Sequence, residues 1–150
     1  MKIFRATLQH IEPIAFLFDQ YRQFYKQDAN LVACRAYLQR RFKNEDSVIF
    51  GAQNDGRQVI GFVQLHASFC SIEMRDIVIV DDLYVHTTAR RQKAGTLLMS
   101  AAQAYAKEAR VARLTLQSGF DNHAARGLFT QLGYTRDLDF FPYNLELSSS

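Results

Sequence analysis

The stretch DLYVHTTARRQKAGTLL, residues 82–98, decides how the rest of the chain is interpreted. It begins with the alternating side chains of a strand and continues into a basic loop that holds Arg90, Arg91 and Lys93. Apolar residues at helical spacing follow from Thr96 onward. The start of a helix offers unpaired N–H groups and the positive end of the helix dipole, which together suit a pyrophosphate. The stretch therefore predicts a strand, a phosphate-binding loop and a helix in direct succession.

Length and composition indicate one globular domain over residues 1–150. The chain is 48% hydrophobic and has 12 Phe but only 7 Gly and 2 Pro, a balance that excludes disordered and collagen-like classes. It has no apolar run of the ~20 residues that a membrane helix needs, and its N-terminus lacks the apolar region of a secretory signal. We therefore expect a cytoplasmic protein with no membrane partner.

The net charge and the cysteines indicate which kinds of ligand the chain can bind. The net charge of +3 suits an anionic cofactor but is too small for a nucleic-acid-binding face. Cys34 and Cys70 are far apart and lack metal-ligand spacing, so we expect free thiols and no metal site.

The strands on either side of the basic loop and its helix predict how the sheet is paired. A strand at Ile72–Val85 precedes it, and a strand at Arg113–Gln117 follows its helix, so the two should be parallel. The Asp-Gly step at residues 55–56 predicts a hairpin between Ser47–Gln53 and Val59–Ser68. The other predicted elements are a strand at Lys2–Ala6, helices over residues 11–25 and 31–42, a helix at Ala124–Leu132 with Gly133 as its left-handed cap, and strands at Tyr134–Arg136 and Phe140–Leu147. This order predicts an α+β fold with a mixed, mostly antiparallel sheet, helices on both faces and a disordered tail at 148–150.

Two motifs in this order resemble the GNAT superfamily of acetyl-CoA-dependent N-acyltransferases. Its phosphate loop, Q/R-x-x-G-x-G/A after a strand such as DLYV, is similar to RRQKAG at residues 90–95. Its second motif, N-x-x-A-x-x-L-Y-x-x-x-G-F, is similar to NHAARGLFTQLGY at residues 122–134. The chain departs from the pattern at Lys93, which stands in place of a glycine, and at Phe129, which replaces a tyrosine. Lys93 is acceptable there if its backbone is already helical.

The resemblance implies a single N-acetyltransferase domain that uses acetyl-CoA as cosubstrate and needs no metal. It places the coenzyme between the fourth and fifth strands and makes the backbone N–H of Val85 the oxyanion donor. The residues that it assigns to coenzyme binding are Leu83, Tyr84, Val85, Arg90, Arg91, Gln92, Lys93, Ala94, Gly95, Thr96, Asn122, Ala125 and Phe129. The tyrosine that Phe129 replaces protonates the departing thiolate in many relatives. Here the thiolate would leave without a donor, at modest cost because a thiol has a pKa near ~8.5, or a water, Tyr84 or Tyr143 would supply the proton.

An acceptor amine must lose a proton before it attacks, since an alkylammonium ion has a pKa near ~10. Asp81 and Asp82 end the fourth strand and are the candidate bases. Neighbouring strand residues face opposite ways, so only one of them enters the cleft unless a bulge intervenes. The resemblance favours Asp81, with Asp82 as the alternative. Both could instead be solvated, or paired with Arg75 or Arg113.

The sequence does not distinguish between a small cationic amine and a lysine side chain as the acceptor. It also does not specify which acyl chain is preferred. Tyr21, Phe24, Tyr25 and Tyr37 in the first two helices would suit a cation. The rival functions are a non-catalytic acyl-CoA-binding module, which Phe129 favours, and a nucleotide- or nucleic-acid-binding domain, which lacks its motifs here. The aromatic segment Phe140–Leu147 would also allow a homodimer, as in relatives.

Overall fold

The computed structural model describes residues 1–148, which form two compact units, Met1–Gln117 and a second that starts at Ser118. The first unit contains β1 (Lys2–Arg5), α1 (Ile11–Phe24), α2 (Leu31–Asn44), β2 (Val48–Gln53), β3 (Val59–Cys70), β4 (Arg75–Val85), α3 (Ala94–Glu108) and β5 (Leu114–Leu116). Short 3-10 turns lie at Leu8–His10 and Thr87–Ala89. The second unit contains α4 (His123–Gln131). The prediction of a single domain over 1–150 stays a prediction.

One five-stranded sheet organises the first unit, with its strands in the order β1-β2-β3-β4-β5. Neighbouring strands are antiparallel except β4 and β5, which are parallel. Parallel neighbours need a crossover, and α3 provides it. The predicted β2–β3 hairpin, the parallel β4–β5 pair and the mixed, mostly antiparallel sheet are confirmed.

Alternating residues of β3 face different helices. The ring of Phe62 packs edge-on against Phe18 of α1, at a centroid distance of 6.2 Å. Gly61, one residue earlier, faces Leu98 of α3. Because successive strand side chains point to opposite faces, α1 and α3 lie on opposite sides of the sheet. The expectation of helices on both faces is therefore confirmed, and we call the side that carries Phe62 the α1 face.

The predicted strands at Tyr134–Arg136 and Phe140–Leu147 are wrong, because residues 134–148 contain neither strand nor helix. Their alternating pattern is that of a strand, but a strand also needs a neighbour for its backbone hydrogen bonds. In the second unit, described through Ser148, the one regular element is α4, so this unit contains no strand that could be such a neighbour. Ser149 and Ser150, part of the predicted disordered tail, lie outside the described residues.

The predicted start of the fourth strand at Ile72 is also wrong. Residues 71–74 form the turn between β3 and β4, and Met74 adopts a left-handed φ of 53°. The Ile72 side chain is 82% exposed in this turn. A β-branched residue raises strand propensity, but the tertiary position of the turn overrides it here.

Candidate active site

A β-bulge in β4 sets the geometry of the two candidate bases. Gln64 of β3 pairs with Asp82, whereas the next residue, Leu65, pairs with Val80. Asp81 is therefore an extra residue on β4 with no partner opposite it. The bulge breaks the alternation, so the side chains of Asp81 and Asp82 both lie on the α1 face, where they meet His66 and Gln64.

Asp82 has a largely buried carboxylate that is held by two donors. Nε2 of Gln64 donates to its Oδ2 at 2.6 Å, and the hydroxyl of Tyr21 on α1 donates to it as well. Burial raises the pKa of Asp82 above its usual value, and the nearby Asp81 raises it further, while the two hydrogen bonds oppose the shift. Burial and the same carboxylates also raise the pKa of Tyr21, which therefore stays a neutral donor.

Asp81 is more open to solvent and has its own partner. Its Oδ2 lies 2.5 Å from Nδ1 of His66, and the two side chains are 33% and 38% exposed. The hydroxyl oxygen of Tyr21 also lies 3.5 Å from the backbone oxygen of Asp81, which is the alternative acceptor for its single proton. The two adjacent carboxylates thus occupy different environments, one buried and one in contact with water.

Within residues 1–148, no strand pairs with the β5 side of β4 beyond Val80, and we call this stretch beside the carboxylates the open edge. The parallel ladder ends at Val80, which pairs with Leu116. On the other side of β4, the N–H of His86 donates to the oxygen of Ile60 at 2.8 Å. Hydrogen-bonded pairs alternate along an antiparallel ladder, so the N–H groups of Leu83 and Val85 point away from β3, toward the open edge.

The loop after β4 leads into α3 through an unusual backbone. Arg91 and Lys93 have left-handed φ values of 67° and 65°, and α3 begins at Ala94. The condition on which a side chain at residue 93 was acceptable, a helical backbone, is not met: Lys93 is the left-handed N-cap of α3. A left-handed residue is unhindered only as glycine, which explains why a glycine is usual at this position.

Arg90 folds back onto the end of β4. Its Nε donates to the carbonyl oxygen of Val85 at 3.2 Å, and its guanidinium lies 5.8 Å from the centre of the Tyr84 ring. Arg90, Arg91, Gln92 and Lys93 are all exposed. The three cations therefore surround the start of α3 with their charges in water.

A model of the Acetyltransferase (GNAT) family matches residues 6–134, which is most of the chain. The chain belongs to this family. An uncharacterized N-acetyltransferase of Bacillus subtilis (strain 168), YhfO, is 42% identical over 147 residues, covering 98% of each chain. The crystal structure of a probable acetyltransferase is 33% identical, covers 100% of both chains and has a TM-score of 0.92. The structure of a ribosomal-protein-alanine N-acetyltransferase from Brucella melitensis, 20% identical with a TM-score of 0.80, covers 98% of this chain and 100% of its own and shares the fold.

The remaining predicted site residues of this GNAT acetyltransferase lie on α4, in the second unit. Asn122 is the N-cap of α4, and its Oδ1 accepts from the N–H of Ala125 at 3.2 Å. Phe129 is buried and its ring lies 5.9 Å from that of Tyr134, as expected for packing residues. Gly133 follows with a φ of 93°, which confirms the predicted left-handed cap. The coenzyme roles of Asn122, Ala125 and Phe129 stay predictions.

Sequence reasoning missed Gln64 and His66 as partners of the carboxylates, and it named Tyr21 only as part of an aromatic surface for a cation, without its contact to Asp82. Gln64 and His66 are two apart on β3, so they share one face. A signal for them existed in the antiparallel pairing of β3 with β4, because its register places this part of β3 opposite Asp81 and Asp82. The bulge that decides which side chains meet has no such signal in the sequence.

Residues 1–148 contain no helix that is long and apolar enough to cross a membrane. The same residues hold no group of three or more His, Cys, Asp or Glu side chains placed to bind a metal ion.

Proposed function

We propose that this acetyltransferase moves an acetyl group from acetyl-CoA to a primary amine by direct attack within a ternary complex. One observation carries the proposal: the β4–β5 ladder ends at Val80, and the open edge that follows begins at the bulge of Asp81 and Asp82. Donors for an acyl group and acceptors for a proton therefore occur on one short segment of strand.

The coenzyme would lie along the open edge, held by backbone N–H groups. Those of Leu83 and Val85 point toward this edge, and Val85 is the candidate donor to the acetyl oxygen. The alternation of φ sign from Arg91 through Ala94 resembles the turned backbone whose successive N–H groups form anion-binding concavities. Acetyl-CoA would supply the activated acetyl thioester there, and its diphosphate would carry the charge that this loop favours.

The amides of residues 91–96 are the proposed diphosphate donors, and the exposed ammonium of Lys93 supports them with charge. The other residues proposed to contact the coenzyme are Tyr84, Arg90, Gln92, Ala94, Gly95, Thr96, Asn122, Ala125 and Phe129.

Asp81 is the proposed proton acceptor. Its carboxylate is accessible to water, whereas the oxygens of Asp82 are engaged by Gln64 and Tyr21. Asp81 would take one proton from the bound ammonium and pass it to solvent, leaving a neutral amine whose nitrogen bonds to the acetyl carbon as the carbon–sulfur bond breaks. The second proton on that nitrogen would go to solvent, and the departing thiolate would take its proton from water. The buried charge of Asp82 would attract the cationic substrate.

Phe129 has no hydroxyl to protonate the thiolate. A thiol has a pKa near ~8.5, so its anion leaves at modest cost without an acid. General acid help is worth roughly 10²–10⁴-fold, less than the positioning that the site provides. Of the two candidate substitutes, Tyr84 is buried among the aromatic residues of the α1 face and Tyr143 is 94% exposed. Water is therefore the proposed source.

The acceptor that we propose is a cationic amine, either a small molecule or a lysine side chain. The Tyr21 hydroxyl contacts the carboxylate of Asp82 and lies 3.5 Å from the backbone oxygen of Asp81, and its ring packs edge-on against Tyr25 at 5.2 Å. An aromatic surface beside two carboxylates favours a cation that carries apolar groups. The cytoplasmic location and the homodimer stay predictions.

A turnover assay on the purified protein tests this function. Release of the coenzyme thiol from acetyl-CoA would be followed with a polyamine, an aminoglycoside and a lysine peptide. We expect amine-dependent release, a fall of roughly 10²-fold or more in kcat for Asp81→Asn, and unchanged affinity for acetyl-CoA by calorimetry. Tight binding of acetyl-CoA without turnover of any amine would favour the non-catalytic module instead. Normal kcat in Asp81→Asn would move the base to another residue.

A further inference from the structure

We propose that His66 is the positioning residue of Asp81: its imidazole fixes the carboxylate that takes the proton of the acceptor amine. The proposal rests on the proposed function, because it assigns a role to His66 only through Asp81. Nothing in the family motifs of this chain points to a residue on β3.

The need for such a residue follows from the bulge. Asp81 has no partner in the ladder between β3 and β4, so the strand pairing does not fix its backbone as it fixes that of Asp82. Its carboxylate is also partly in water, where a short side chain rotates freely unless something holds it. The Nδ1 atom of His66, 2.5 Å from Oδ2, is the side-chain partner that the structure provides.

The hydrogen bond to Asp81 determines which nitrogen of the His66 imidazole carries a proton. An ionised carboxylate only accepts hydrogen bonds, so Nδ1 of His66 must carry a proton and donate it. In a neutral ring this leaves the lone pair on Nε2. A second hydrogen bond of the same kind lies on this face two residues earlier on β3, where the amide of Gln64 donates to the carboxylate of Asp82. Each carboxylate thus has its own donor from β3, at positions 64 and 66.

A purely structural role explains the pair poorly. The side chains of His66 and Asp81 are 38% and 33% exposed, and a contact this open to water contributes only about 0–1 kcal/mol to stability even between full charges. The loss of His66 should therefore leave folding nearly unchanged while it releases Asp81.

Kinetics of four variants test the proposal, measured with acetyl-CoA and whichever of the polyamine, aminoglycoside and lysine peptide the wild type acetylates fastest. The variants are His66→Leu, His66→Asn, Asp81→Asn and the double variant His66→Leu/Asp81→Asn. We expect kcat to fall roughly 10–100-fold in His66→Leu, as is typical when the partner of a reacting group is lost, with the KM for acetyl-CoA unchanged. His66→Asn should recover most of this loss, because its amide also donates.

The double variant distinguishes positioning from an independent effect. If His66 acts through Asp81, the double variant should be no slower than Asp81→Asn alone. Additive losses, or a normal kcat in His66→Leu, would overturn the proposal.

A measurement that needs no acceptor amine separates this proposal from the proposed function. Nitrogen-15 spectra of the imidazole should show a proton on Nδ1 of His66 in the wild type, and a changed Nδ1 resonance in Asp81→Asn. A neutral ring protonated on Nε2 alone, or identical spectra in the two proteins, would overturn the positioning role. Absence of turnover with every amine would defeat the proposed function, while the spectra would still decide whether His66 holds Asp81.

Discussion

The amide of Gln64 and the carboxylate of Asp82 meet across the β3–β4 ladder, with Nε2 and Oδ2 2.6 Å apart. Gln64 is itself buried, and its Oε1 accepts from the Ser47 hydroxyl at 2.9 Å. Hydrogen bonds therefore connect three polar side chains in series: Ser47 just before β2, Gln64 on β3 and Asp82 on β4. Burial of this carboxylate nevertheless raises its pKa, so Asp82 makes the folded state less stable when it is ionised.

Asp82→Asn should consequently stabilise the protein at neutral pH. With a folded-state pKa above the unfolded one, the wild type has its full stability below the ordinary value near 3.8 and loses some of it as pH rises through the folded-state pKa. Asparagine does not ionise and avoids that loss. Urea unfolding at pH 7 should show a higher free energy of unfolding for the variant, and the gain should vanish below pH ~3.8. Asp28→Asn, at an exposed position, is the control and should show no such gain. A variant less stable than wild type at pH 7 would contradict the argument.

Lys93→Gly should be more stable than Lys93→Ala. Both variants lack the ammonium, but only glycine adopts the left-handed φ of 65° without a clash of its side chain. An L-residue in this region costs roughly 1–2 kcal/mol, and the extra flexibility of unfolded glycine offsets part of it, so we expect a difference of about 1 kcal/mol. Chemical denaturation of the pair measures it. Equal stabilities would show that the backbone at residue 93 relaxes once the lysine is removed.

Gly95→Glu should abolish measurable affinity for acetyl-CoA. It adds a negative side chain within the first turn of α3, where the proposed diphosphate needs N–H groups and positive charge. Gly56→Glu is a charge-matched control in the β2–β3 loop, where a Cβ would come no closer than 3.4 Å to its neighbours. Calorimetry with acetyl-CoA compares the two. Unchanged affinity in Gly95→Glu would mean that the diphosphate binds elsewhere.

Gly61→Ala should destabilise the first unit by about 1–3 kcal/mol, as expected for an overpacked site. A Cβ on Gly61 would lie 2.9 Å from the backbone oxygen of Tyr84 and 3.3 Å from Cδ1 of Leu98. The backbone oxygen cannot move without shifting the end of β4. Thermal unfolding of Gly61→Ala beside Gly56→Ala tests this, since the second substitution meets only one side-chain atom, at 3.4 Å. Identical melting temperatures would mean that β4 and α3 adjust freely at this contact.

Local sequence determined most of the fold in the first unit. The Asp-Gly step fixed the β2–β3 hairpin because turn chemistry is local, and the helix between β4 and β5 required them to be parallel. The loop from Arg90 to Gly95 was recognisable because a helix start after a basic turn is also a local pattern. At Phe140–Leu147 the same reasoning failed, since alternation describes a strand but does not supply a neighbour for it.

By itself, then, the sequence determined the family and the order of the elements from β1 to α4, and it predicted the segment of β4 and α3 that we propose as the site. Only the tertiary structure decided that Asp81 and Asp82 share one face and that His66, Gln64 and Tyr21 contact them. The physical reason is the bulge: one extra residue reverses every later side chain of a strand, and its position depends on pairing with β3 rather than on the residues of β4.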